Sequence, residues 1–229
     1  MVFSSLRWKT AFVTVIFSAF VTAAHADLVT NGSFETPTVP AGSFTNFNTG
    51  STLITGWTVV GPQVSVVSGT FTQLGFNFPA GNGSQWLDLT GDGSNNDTEG
   101  VQQTIATTSG TTYDLSFLVG NVVGSPFGTS STVDVLVNGT PFQTATNSGG
   151  GTTLTWAPFS KTFTATSSST VLEFLNGDPA GDNSNGLDSV SVVPVAAVPE
   201  VSPAPVLAGC LIGLFAVVYR RKSARKKLS

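Results

Sequence analysis

The sequence contains very few of the residues on which most enzymes and metal sites depend. Of its 229 residues, one is cysteine and one is histidine, namely Cys210 and His25, and both lie near the ends of the chain. A chain with one cysteine cannot form an internal disulfide. A central region without histidine or cysteine cannot build a Ser-His-Asp triad or a typical zinc site. These absences predict that the protein is not an enzyme of the serine, cysteine or zinc class.

Basic residues are also scarce between the two ends. The stretch from Asp27 to Val198 contains twelve acidic residues and only Lys161 as a base, so it carries a charge of −11. The last ten residues carry +6, and the whole-chain charge of −4 hides this asymmetry. An acidic body without arginine is poorly suited to phosphate backbones, which excludes nucleic acid as an expected partner.

The first 26 residues have the three parts of a secretory signal. Arg7 and Lys9 precede the apolar run AFVTVIFSAFV, and Ala24-His25-Ala26 forms a small-residue cleavage site. The apolar run is too short to span a bilayer comfortably. We therefore expect residues 1–26 to be a signal peptide that is cleaved after Ala26, and the protein to be exported.

The central region has the pattern of a β protein. Short runs of alternating apolar and polar residues are separated by Gly, Asn, Ser and Asp turns, and no helical periodicity is present. In TTYDLSFLVG the residues that share one face are Tyr113, Leu115, Phe117 and Val119. About ten such strands predict an all-β fold over residues 27–193, a two-sheet antiparallel sandwich of jelly-roll type.

The same pattern predicts the faces of the last strand and the bounds of the remaining strands and loops. Strict alternation in GLDSVSVV places Asp188, Val190 and Val192 on one side of the last strand and Leu187 on the other. Other predicted strands are Leu28–Phe34, Leu53–Val60, Val64–Val67, Ser84–Leu89, Val101–Ile105 and Phe159–Thr166. The longest predicted loops are Phe34–Thr52, Thr90–Glu99 and Asn176–Gly186, and we expect the acidic residues of the last two to be solvated.

The C-terminal part has a different composition. Residues 194–205 form a Pro-rich linker, residues 206–219 are an uncharged apolar run, and residues 220–229 are a basic tail. A helix over 206–219 would reach only about 21 Å, less than a bilayer core of about 30 Å, so its flanks must help it to span. The basic tail predicts a cytoplasmic end by the positive-inside rule.

This C-terminal arrangement resembles the PEP-CTERM sorting segment of Gram-negative bacteria. Val198, Pro199 and Glu200 match the sorting motif, and Val201 stands where a second proline is usual. The resemblance implies an exosortase-type processing enzyme as a partner and an inner-membrane anchor during transit. It further implies delivery to the cell surface or extracellular matrix. An ordinary single-span membrane anchor is the alternative.

The central region resembles the galactose-binding-like jelly rolls of secreted bacterial and plant cell-wall proteins, and related carbohydrate-binding modules. The resemblance is carried by LVTNGSFETP, ITGWTVVG, GSQWLDLTG and NGLDSVSV, in that order. It implies a non-catalytic domain in which calcium joins the first and last strands, with Glu35 and Asp188 as carboxylate ligands. Ser189 stands where these families commonly have a second acid. The alternatives are that Glu35 is a solvated turn acid and that Asp188 is a hydrogen-bonded acid at a strand end.

Two tryptophans are candidates for ligand binding. Trp86 and Trp156 could stack on a sugar ring, although tryptophans in sandwiches more often belong to the core. We therefore expect an exported, surface-sorted, non-catalytic protein of the envelope or exopolysaccharide matrix that binds extracellular polysaccharide. The alternatives are a structural matrix protein without a defined ligand and a glycosidase that uses two carboxylates.

Overall fold

The computed structural model describes residues 26–92, 99–179 and 181–196. The predicted apolar core of the signal peptide, the sorting motif Val198-Pro199-Glu200, the apolar run 206–219 and the basic tail all lie outside these residues. Across the described ranges, no helix has the length and hydrophobicity that crossing a membrane requires.

The secondary structure of the described residues consists of β-strands. These are β1 (Phe44–Asn48), β2 (Thr58–Val60), β3 (Gln63–Ser68), β4 (Thr72–Gln73), β5 (Phe76–Asn77), β6 (Gln85–Asp88), β7 (Gly100–Ala106), β8 (Thr112–Asn121), β9 (Ser131–Val137), β10 (Thr140–Asn147), β11 (Thr155–Thr164), β12 (Ser169–Asn176) and β13 (Gly186–Pro194).

Two large antiparallel sheets form a sandwich. The six-stranded sheet has the order β1-β3-β6-β13-β8-β11, and the five-stranded sheet has the order β10-β9-β12-β7-β2. Strands β4 and β5 form a separate small hairpin. The structure confirms the predicted all-β sandwich of jelly-roll type.

The main core lies between the two sheets and follows the predicted alternation. In β8, every second side chain is buried in this core: Tyr113, Leu115, Phe117 and Val119. Contacts between aromatic side chains link the two sheets across this core. The Phe174 ring lies 5.4 Å from Phe117 and 6.0 Å from Trp57. Trp57 is therefore a core residue.

Strand β13 departs from strict alternation. Leu187, Val190 and Val192 all contact the main core, so the prediction that Leu187 faces the opposite side from the two valines was wrong. The cause is a bulge between Asp188 and Ser191, where Ser189 has a φ of +52°. The extra residue reverses the alternation and leaves Asp188 on the outer face of the six-stranded sheet.

The N-terminal segment also differs from the prediction. Leu28–Phe34 is not a strand, although Leu28 N donates to Val192 O and Gly32 O accepts from Val190 N, both at 2.9 Å. Asn31 and Phe34 have φ values of +56° and +55°, which break an extended ladder. The predicted loop Phe34–Thr52, in contrast, contains strand β1.

A second apolar layer covers part of the outer face of the six-stranded sheet. Because side chains alternate along a strand, Val67 of β3 and Trp86 of β6 face away from the main core. They form a smaller cluster with Phe78, Val122, Phe127 and Leu154, against which Phe71 and Phe76 of the β4–β5 region pack. The hairpin therefore lies over the sheet and builds the walls of a pocket.

The core packing predicts a specific loss of stability. Leu172 of β12 is fully buried between the sheets, whereas Leu53 is 73% exposed. We expect Leu172→Ala to lower the free energy of unfolding by about 2–5 kcal/mol, because it removes buried methyl groups and leaves a cavity. The matched control Leu53→Ala should change it by no more than about 0.5 kcal/mol. Urea unfolding followed by tryptophan fluorescence measures both; equal losses would contradict the assigned core.

Candidate functional site

A pocket of about 300 Å³ lies on the outer face of strands β3 and β6. Its floor is buried and mostly apolar, with Ser65 and Asp88 as buried polar residues, and its rim is polar and exposed. The aromatic lining residues are Phe44, Phe71, Phe78, Trp86 and Phe127, and the polar ones are Ser65, Gln73, Asp88, Asp92 and Asn183. Concave sites of this composition are typical of small-molecule binding.

The aromatic side chains differ in accessibility. Trp86 lies in the floor, is 1% exposed and donates from Nε1 to Phe78 O at 3.2 Å. Its ring is therefore covered by Phe78 and the layer around it. Phe44 and Phe71 are half-buried and meet edge-to-face at 5.4 Å between ring centroids. These two phenylalanines, rather than Trp86, present aromatic surface to a ligand.

Trp156 has a different environment. It is half-buried, donates from Nε1 to Pro79 O at 2.9 Å and does not line the pocket. Its indole lies against the backbone of β8 and β13, where a Cβ on Gly120 or Gly186 would come within 2.8 Å or 3.0 Å of the ring. These contacts give Trp156 a packing role between the strands and the Pro79 loop.

Glu35 and Asp188, the predicted calcium ligands, contact the same turn. Glu35 Oε1 accepts from Ser84 N at 2.8 Å and Gln85 N at 3.1 Å. Asp188 Oδ2 accepts from Gly81 N and Asn82 N, both at 2.9 Å. The structure thus brings together two acids that are distant in sequence.

Amide donors surround both carboxylates of this pair. Asp188 Oδ1 also accepts from Ser189 N at 2.6 Å, and Glu35 Oε2 accepts from Ser84 Oγ at 2.6 Å. Burial raises the pKa of Asp188 to about 7, the backbone donors lower it, and the nearby Glu35 adds a smaller increase. Calcium binding at this pair stays a prediction. The hydrogen bonds of Asp188 fit its alternative role as a hydrogen-bonded acid at a strand end, whereas Glu35 is half-buried and hydrogen-bonded rather than a solvated turn acid.

A second group of acidic residues, besides Glu35 and Asp188, was not predicted from the sequence. Asp178 and Asp182 were expected in a solvated loop, but they are 2% and 6% exposed. Burial raises the pKa of Asp178 to about 8, with further increases from Asp182 and Asp88. The pKa values of Asp182 and Asp88 are each raised to about 6, again mainly by burial. The sequence feature that could have indicated this group is the segment GDPAGDNSNGLD, which repeats Asp and Asn and contains no basic residue.

The family described as "Protein of unknown function (DUF642)" matches residues 27–192. This chain belongs to the DUF642 family. No curated protein gives a significant match to the chain.

Solved structures similar to this DUF642 domain share its fold. The Stig cyclase Fisc from Fischerella sp. TAU, solved with an indole compound, has a TM-score of 0.55 and 16% identity over 76% of this chain and 100% of that chain. The CBM22-1-CBM22-2 tandem domain of Xyn10C from Paenibacillus barcinonensis has a TM-score of 0.45 and 18% identity over 80% of this chain and 49% of that chain. At these identities the likeness shows the fold alone.

The buried carboxyl groups of the DUF642 domain predict a decrease in stability with rising pH. Above about pH 5 the unfolded chain has released these protons, whereas the folded state retains them until their raised pKa values of about 6 to 8. The folded state therefore binds more protons in this range, and the free energy of unfolding falls as pH rises.

We expect a lower melting temperature at pH 8 than at pH 5, measured by calorimetry in the presence of chelator. Replacement of one member of the group, in Asp178→Asn, should make the pH dependence of the melting temperature smaller. A melting temperature that rises steadily between pH 5 and pH 8 would disagree with the burial of these carboxyl groups.

Proposed function

We propose that this protein is an exported, non-catalytic domain that binds glycan in the pocket over β3 and β6. The construction of the pocket carries the proposal: half-buried Phe44 and Phe71 lie beside exposed Gln73, Asp92 and Asn183. A sugar ring has an apolar face that packs on aromatic surface and hydroxyl groups that bond to carboxylates and amides. The fold, which jelly-roll carbohydrate-binding modules share, is compatible with this use.

Charge and volume narrow the class of glycan. Asp88 and Asp92 both line the pocket, and the only basic residue of the described ranges, Lys161, does not. An anionic sugar would meet like charge there, so a neutral glycan is favoured. The volume of about 300 Å³ lies at the lower end of known ligand pockets, which favours a short glycan or a chain end.

The test is glycan binding by wild type and two phenylalanine variants. We expect Phe71→Ala to weaken binding of neutral glycans at least about fivefold, because it removes accessible aromatic surface from the pocket wall. Phe142 is also half-buried but lies on β10 of the other sheet, so Phe142→Ala is the matched control. A glycan array identifies the ligand, and calorimetry measures the affinities.

Each outcome of that experiment has a distinct meaning. Equal affinities for Phe71→Ala and wild type would exclude this pocket as the binding site. Absence of any retained glycan on the array would support a purely structural matrix protein.

Hydrolysis is the second candidate function, because two carboxyl residues line the same pocket. Asp88 has a raised pKa of about 6, which suits a general acid, and Asp92 is exposed at the rim. Against this role, Asp88 Oδ1 already accepts from Thr90 N, Thr90 Oγ1 and Asn185 N. Incubation of the bound glycan with the protein, followed by mass spectrometry of the sugar, separates binding from cleavage: an intact glycan supports the binding proposal.

Export and sorting form the cellular part of the proposal. It is supported by the Ala24-His25-Ala26 site and by the Val198-Pro199-Glu200 motif with its apolar run and basic tail. We expect exported protein to begin at Asp27 and, if an exosortase-type enzyme processes it, to lack residues 206–229. N-terminal sequencing and intact-mass measurement test both ends. Retention of Ser229 in all exported, membrane-bound protein would favour the single-span anchor.

A further inference from the structure

Asp178 is buried at the end of the sandwich, and one of its carboxylate oxygens receives no hydrogen bond from the described residues. Its Oδ1 accepts from Thr132 N, and its side chain is 2% exposed. Its Oδ2 is fully buried and has no hydrogen-bond donor among the described residues. A buried acceptor in this state costs free energy unless another group occupies the space in front of it.

Asn185 presents a second acceptor of the same kind. Its Nδ2 donates to Thr132 O and to Asn176 Oδ1, the latter at 2.7 Å, and the residue has no exposed surface. These two acceptors fix the orientation of the amide, because a flip would place its oxygen against both of them. Asn185 Oδ1 is therefore the true acceptor, and it is buried without a donor in the described parts of the chain.

Further oxygen atoms surround these two. Asp182 is held over Gly128, whose Cβ would lie 1.7 Å from Asp182 Oδ2, and the Thr129 and Ser130 backbone donates to its carboxylate. The neighbouring Ser184 Oγ is buried and lacks a hydrogen-bond partner in the described ranges. Asp88 joins the group through the hydrogen bond from Asn185 N to Asp88 Oδ1 at 3.1 Å.

Within the part of the chain that the structure describes, no basic side chain neutralises this group. Lys161 is the only basic residue within the described ranges, and its ammonium lies 4.4 Å from the Phe142 ring centroid, with Nζ donating to Phe142 O. Asp182 raises the pKa of both Asp88 and Asp178, and Asp88 also raises the pKa of Asp178. The cluster thus combines excess negative charge with buried acceptors, and a bound cation would satisfy both.

We propose that Asp178, Asp182 and Asn185 bind a calcium ion at the end of the sandwich, beside the pocket residue Asp88. Calcium takes six to eight oxygen ligands from carboxylates, amide and backbone carbonyls, hydroxyls and water, and it tolerates irregular geometry. Among the described residues, no three His, Cys, Asp or Glu side chains form a ligand group, so this site depends on amide and hydroxyl oxygens beside its carboxylates. Ser184 Oγ and water complete the shell.

This site differs from the Glu35–Asp188 pair in its free acceptors. At that pair, backbone N–H groups and the Ser84 hydroxyl already donate to the carboxylate oxygens, whereas Asp178 Oδ2 and Asn185 Oδ1 have no donor among the described residues. The ion would join the loop after β12 to the start of β9, because Asp178 bonds Thr132 and Asn185 bonds both Thr132 and Asp88. It would thereby support the side of the pocket that contains Asp88.

The test uses the full chain after removal of bound metal by chelator. Calcium titration by calorimetry and melting curves, with and without calcium, are compared for wild type, Asp178→Asn and the control Asp188→Asn. We expect wild type to bind one calcium ion and melt higher with it. Asp178→Asn should bind at least about tenfold more weakly, because it removes one ligand charge, while Asp188→Asn should keep the wild-type affinity.

The melting temperature in chelator distinguishes a ligand from a merely structural residue. Asp178→Asn replaces a buried carboxyl group by an amide of the same shape that keeps an acceptor for Thr132 N, so it should melt no lower than wild type without calcium and gain nothing from calcium. If this variant fails to fold, Asp182→Asn is judged by the same affinity criterion. Three results would overturn the proposal. The first is wild-type calcium affinity in whichever of the Asp178→Asn and Asp182→Asn variants is used, and the second is loss of calcium binding in Asp188→Asn only. The third is that wild type binds no calcium.

Discussion

An acidic body with a single lysine cannot neutralise its buried carboxyl groups by ion pairing, and backbone N–H groups take this role instead. Asp188 accepts from Gly81 N and Asn82 N, and Glu35 accepts from the N–H groups two and three residues further along the same turn. Lys161, meanwhile, lies against Phe142 on the edge strands. The carboxylates thus hold the connecting loops of the sandwich in place, and the walls and rim of the pocket depend on those loops.

This mode of neutralisation explains why particular glycines are needed. A loop can direct its N–H groups at a carboxylate only if no side chain stands between them. A Cβ on Gly83 would lie 2.3 Å from Glu35 Oε1, and Gly83 has a φ of +68°. In the same way, a Cβ on Gly128 would lie 1.7 Å from Asp182 Oδ2, and Gly128 has a φ of +83°. Both positions therefore require glycine for backbone conformation and for close approach of the acid.

Local pattern predicted the strands well and the site poorly, for physical reasons. Alternation in β8 correctly separated core side chains from outward ones, because burial on one face imposes a period of two. The same rule failed in β13, where a bulge adds a residue. The pocket was not predictable, because Phe44 and Phe71 come from separate segments and acquire a common surface only when the hairpin folds over β3. Asp178 and Asp182 have a polar sequence context, and only the tertiary structure buries them.

The bulge in β13 also limits which residues can follow Asp188. Ser189 has a φ of +52°, a conformation in which Asn, Asp and Gly are the residues most readily accommodated and β-branched residues are strained. The second acid that commonly stands at this position in similar jelly rolls would suit such a backbone whether or not it ever touched a metal. The choice of residue at position 189 is thus first a matter of local backbone preference, so substitutions there should be limited by chain geometry more than by ligand chemistry.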